Sequence, residues 1–152
     1  MKYALAFAAA LFVAPACATS IAPKPLEDLV RESDHVVVAT VVGVDMVDGR
    51  GRALDDPAAR TGPGSANRMS FELKVESVLF TRAGSLPPRI RVPLWSMWHY
   101  QLGTMREQVV GSRGIFLLKG VPLKGNRYEP AYPGGFQRPL EEREQIERLL
   151  PR

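Results

Sequence analysis

Apolar residues recur along this chain with different rhythms, and each rhythm predicts an element. In "PLEDLVRESDH", Leu26, Leu29 and Val30 fall at i, i+3 and i+4, Pro25 suits a first helical turn, and Glu27 and Asp28 sit where the helix dipole favours negative charge. A short helix with one apolar face is expected, and that face has to dock. "HVVVATVVGVDM", residues 35–46, is β-branched and apolar at nearly every position, which predicts a central strand. Gly43 inside it marks a bulge or a sharp bend. In "MSFELKVESVLF", Met69, Phe71, Leu73 and Val75 alternate with Ser70, Glu72, Lys74 and Glu76, the signature of a half-buried strand. Parity slips at Ser77, so a bulge or strand end is expected there.

"PPRIRVPLW" predicts a third strand, with Ile90, Val92 and Leu94 facing in, Arg89 and Arg91 facing out, and Pro93 limiting pairing on one side. "GIFLLKG" and "NRYEPAYPGG" predict a fourth and a fifth. The tail "RPLEEREQIERLLPR" is helical, with Leu140, Ile146, Leu149 and Leu150 along one side. Residues 47–68 show no period. A loop of roughly twenty residues inside a compact domain is either functional or mobile, and mobility is the simpler expectation.

Five strands with mostly short links form a mainly antiparallel sheet too narrow to protect its edges if left open. Closure solves this. The expected class is mostly β: a five-stranded OB-like, partly open barrel with flanking N-terminal and C-terminal helices, one domain over residues 24–150. The bent first strand would serve both sides of the barrel, and residues 98–113 would be its longer connection with helical character.

Composition adds an address. A chain 45% hydrophobic and 24% charged is ordinary globular material, but its start is different. Met1 and Lys2 precede the apolar run "YALAFAAALFVA" and the small residues of "PACATS", the layout of a secretory signal peptide over residues 1–18, with cleavage after Ala16 or Ala18. Export to the periplasm or medium is expected. Cys17, the single cysteine, has three open fates: a new N-terminus, loss with the leader, or acylation as a lipoprotein anchor. The 20 Lys and Arg against 16 Asp and Glu are scattered, a solvated surface rather than a nucleic-acid footprint. The expected partner is an envelope protein, peptide or glycan, with membrane contact only through the leader or a lipid on Cys17.

The runs "PLEDLVRESDHVVVATVVGV", "FELKVESVLF", "GSRGIFLLK" and "YPGGF" together resemble small exported bacterial proteins whose OB-like barrel is similar to the netrin module and the tissue inhibitors of metalloproteinases. The resemblance rests on hydrophobic patterns over most of residues 26–136. It implies the barrel and, if cleavage follows Ala16, it places Cys17 where the inhibitors carry a zinc-chelating N-terminal cysteine. The inhibitors fix that cysteine with a disulfide in a Cys-x-Cys start; here Ala18 and Thr19 follow, and no second cysteine exists.

Catalytic patterns are sparse. His35 and His99 are the only imidazoles, 64 positions apart, with no His or Cys at ligand spacing, so neither a metal nor a cofactor is expected. No Gly-x-Ser-x-Gly elbow or phosphate-binding loop occurs. A non-enzymatic binding or interaction module is therefore expected; the rival is a metalloprotease inhibitor, or an envelope enzyme using His35, His99 or Cys17. The candidate ligand surface is the barrel face and rim of Trp95, Trp98, His99, Tyr100, Arg89 and Arg91. By parity Trp95 points away from the core, beside the arginines. It is either a stacking platform or a residue packed beneath one of the two helices, and the covered arrangement is the expected one.

Overall fold

The computed structural model describes residues 21–123 and 126–151. Helix α1 (Leu26–Glu32) leads into β1 (His35–Val47), which is followed by a two-residue β2 (Ala53–Leu54), β3 (Arg68–Thr81) and β4 (Arg89–Pro93). Helix α2 (Leu102–Val109) joins β4 to β5 (Arg113–Leu123). Then come β6 (Arg127–Pro130), β7 (Gln137–Arg138), a single 3-10 turn and α3 (Arg143–Leu149). Among the described residues no helix is long and apolar enough to cross a membrane. The leader expected over residues 1–18, Cys17 included, lies outside the described residues.

Strands β1, β3, β4, β6 and β5 are hydrogen-bonded in that order, and β5 returns to β1, closing a five-stranded barrel. All these pairings are antiparallel except β4 with β6. This is the OB-like order, with α2 in the connection between the third and fourth barrel strands. β1 serves both sides: residues 35–40 pair with β5 while the whole strand pairs with β3. Its register slips between Val41 and Gly43, the bend expected at Gly43, and two further slips set Leu79 and Glu76 of β3 apart as bulges on either side of Ser77.

The continuous apolar runs have a physical reason. Val37, Ala39 and Val41 point into the barrel with Phe71, Leu73, Ile90, Val92, Phe116 and Tyr128. Val36 and Val38 point the other way, with Ile115 and Leu117 of β5, into a second cluster roofed by Leu29, Val30 and Ile146 of α1 and α3. Strands buried on both faces cannot alternate. α1 and α3 therefore cover the β1–β5 side and the end of β3 at Leu79 and Phe80, and leave the outer face of β4 and of the first half of β3 open.

His35 is buried at the start of β1. Nε2 lies 2.7 Å from the Gly120 carbonyl and Nδ1 2.8 Å from the Thr81 hydroxyl, with Tyr128 edge-on at 5.2 Å. A carbonyl only accepts, so Nε2 carries a proton, and in the neutral ring Nδ1 accepts from the Thr81 hydroxyl. The ring ties the ends of β1, β3 and β5 together, which is a structural post.

Residues 47–68 are fastened rather than featureless. Asp48 caps a tight turn, accepting from the Arg50 and Arg52 N–H groups, and β2 pairs back onto Met46 and Val47. Further along, Thr61 is buried and donates its backbone N–H to the Tyr100 carbonyl in the aromatic stretch.

Candidate functional site

The outer face of the barrel forms a lattice that can be read row by row. Asp45 pairs with Ser70, and Ser70 with Pro93. Val47 pairs with Arg68; the Leu94 N–H donates to the Met69 carbonyl at 2.9 Å, so the same register sets Arg68 beside Trp95. On the other side Glu72 pairs with Arg91, and Arg91 with Arg127 of β6. Small Ser70 and Pro93 thus lie between a row ending in Trp95 and a row ending in two arginines. Small residues between large ones leave a hollow.

Pro93 also opens it sideways. Alternate N–H groups of β4 face β6: that of Arg91 donates to the Asn126 carbonyl at 3.0 Å. The next in that series belongs to position 93, and proline has no N–H to give. The parallel ladder records a single residue pair, Arg91 with Arg127, and then the two strands part. A cleft of about 460 Å³, in the range of small-ligand sites, sits over this seam. Its walls include Trp95, Ser96, Arg68, Arg91, Arg127, Asp45, Glu129, Pro130 and Pro133.

The charges in the cleft differ in how far they are committed. Arg91 is held by Asp45 at 2.7 Å, and the half-buried Asp45 carboxyl is pushed above its ordinary range by burial, with Arg91 pulling it back only in part. Arg127 lies 3.2 Å from Glu129, but its Nε is buried with no hydrogen-bond partner among the described residues. Arg68 is exposed and has no carboxylate partner among the described residues. Arg68 therefore keeps unspent donors on the open face, while Arg127 holds an unpaired one that is buried beneath it.

The expected site residues divide. Trp95 and Arg91 lie in the cleft, Trp95 only half-buried and outside the cluster beneath the helices, so neither helix covers it. Trp98 stands edge-on behind Trp95 at 5.6 Å and in turn meets Tyr100 at 6.0 Å. Tyr100 packs against the barrel core, and burial pushes its phenol up to about 12. His99 is exposed over Gly62, where any side chain would collide with the imidazole, and does not line the cleft. Arg89 is outward too, but it pairs with Glu72 at 2.7 Å beyond the hollow.

Thr61 holds the aromatic stretch in place. Its hydroxyl donates to the Trp98 carbonyl at 2.7 Å and accepts from the Tyr100 N–H at 3.1 Å, while its own N–H donates to the Tyr100 carbonyl at 2.9 Å. Among the described residues no three His, Cys, Asp or Glu side chains converge as a metal ion would require. No protein-family model matches the chain, and no curated protein matches it in sequence.

Proposed function

We propose that the protein is an exported, non-enzymatic binding module of the cell envelope, whose ligand site is the cleft between β4 and β6. One observation carries the reading: a half-buried tryptophan and two incompletely committed arginines share a concave surface at the seam where β4 and β6 are joined by a single residue pair. Aromatic area gives affinity and convergent polar groups give orientation, which is the usual division of labour in small-ligand sites. The leader-like start supports the envelope address, and Cys17 would supply a lipid anchor if cleavage leaves it first.

Two measurements test this. Intact mass of the protein recovered from envelope fractions should lack the leader, with a diacylglyceryl increment if Cys17 is acylated; full-length protein confined to the cytosol would refute export. Titrating isotope-labelled protein with a soluble peptidoglycan digest should move the Trp95 indole resonance before those of buried Tyr128 or Phe116. Shifts confined to the α1–α3 face would place the site elsewhere.

A further inference from the structure

Resting on that cleft reading, we infer that the ligand is a carboxylate-bearing saccharide. The cleft is poorly suited to an extended peptide. An extended peptide held at a strand seam draws its affinity from backbone hydrogen bonds. Pro93, Pro130 and Pro133, all in the lining, have no N–H to offer. A peptide strand would find the seam short of donors where it needs them.

A saccharide makes no such demand. Its ring presents a flat C–H face suited to an indole, and its hydroxyls require side-chain donors and acceptors together. The cleft supplies both kinds: Asp45 and Glu129 accept, and Ser70 can do either. The remaining feature is charge. Arg91 is answered by Asp45 at 2.7 Å, whereas Arg68 and the Arg127 Nε are unanswered among the described residues. A guanidinium with free N–H groups matches a planar carboxylate in a forked, two-bond geometry. The Arg68–Trp95 register neighbours set one such group beside the indole, so a single sugar acid could stack on Trp95 while its carboxylate meets a guanidinium.

The test uses three trisaccharides: trigalacturonate, its methyl ester and neutral maltotriose, measured by calorimetry on the full mature chain. Trigalacturonate should bind at least about tenfold more tightly than the ester or the neutral sugar, since a hydrogen bond to a charged group contributes roughly that factor or more. Arg68→Gln combined with Arg127→Gln should erase that preference, bringing the acid down to the affinity of the ester, and Arg89→Gln, outside the cleft, should leave the preference intact. Unaltered thermal melting of the double variant keeps loss of fold apart from loss of recognition. If ester and acid bind equally while Trp95→Phe weakens both, the carboxylate assignment is overturned and the cleft reading stands. Acid binding insensitive to both the Arg and the Trp95 substitutions overturns the two together. No binding of trigalacturonate at millimolar concentration overturns the saccharide assignment, and the peptidoglycan-digest titration then judges the cleft by itself.

Discussion

Thr61→Val replaces a buried hydroxyl by a methyl of nearly the same volume and so isolates what the hydroxyl does. Two hydrogen bonds vanish: the one donated to the Trp98 carbonyl at 2.7 Å and the one accepted from the Tyr100 N–H at 3.1 Å. Neither backbone group is fully orphaned, because the Tyr100 N–H also lies 3.2 Å from the Trp98 carbonyl. The loss is therefore two ordinary hydrogen bonds without the added penalty of a stranded polar group, about 2 kcal/mol. The Thr61, Leu102 and Gly103 N–H groups still bond across the same junction, so opening stays local. About 2 kcal/mol corresponds to roughly a 30-fold larger opening constant, because 1.4 kcal/mol is a factor of ten. Amide exchange read by NMR should accelerate by about that factor at Thr61 and Leu102, with much smaller change at Phe71 and Phe116 inside the barrel. Thr61→Ser, which keeps the hydroxyl, should recover most of the protection. Exchange at Thr61 and Leu102 that changes less than about threefold would refute the view that this hydroxyl fastens the aromatic rim.

His35→Phe removes the bonds to Thr81 and the Gly120 carbonyl and should cost about 2–4 kcal/mol in urea unfolding, two lost hydrogen bonds plus part of a stranded carbonyl; a loss under about 1 kcal/mol would contradict the structural role. Glu76 is held below its ordinary pKa of 4.5 by the Thr40 hydroxyl and then by Arg113. Its contribution is present above 4.5 and is lost as pH falls through the lowered folded value, so Glu76→Gln should flatten the acid limb of the stability profile measured by thermal melting. Asp45 runs the other way: burial raises its folded pKa above 3.8, so the folded state binds the extra proton. Lowering the pH toward 3.8 should stabilise the wild type relative to Asp45→Asn, and a gap between the two that does not change with pH would contradict this. Tyr100→Phe should remove one late-titrating phenol from an ultraviolet alkaline titration, since burial raises it to about 12.

The barrel was legible because strand parity and strand breakers are local signals. Met69 to Val75 alternate because one face meets the core, Gly43 marks the bend, and the parity slip at Ser77 reflects real bulges. Parity alone also set Trp95 outward. The covering helix was misjudged for a physical reason: two amphipathic faces announce that they must dock but not where, and α1 and α3 docked with Val36, Val38, Ile115 and Leu117. The fastening of residues 47–68 is invisible in the sequence because polar segments held by hydrogen bonds, such as Thr61 to Tyr100, have no period. Arg68, Arg127, Asp45 and Glu129 went unnoticed as site residues because only the register of four strands brings them together. Ser70 was visible as an outward residue, but nothing in the sequence says that Pro93 lies next to it.

The proline at position 93 also has a mechanical meaning. In a closed barrel every strand is laced to two neighbours, and slow breathing must start where the lacing is thinnest. Here that line runs between β4 and β6, joined only at Arg91 and Arg127, so the proposed recognition surface and the barrel's line of weakness coincide. A molecule spanning it would act as a staple. Occupancy should then be readable without any signal from the ligand, as slower amide exchange at Arg91 and Tyr128 on opposite sides of the gap.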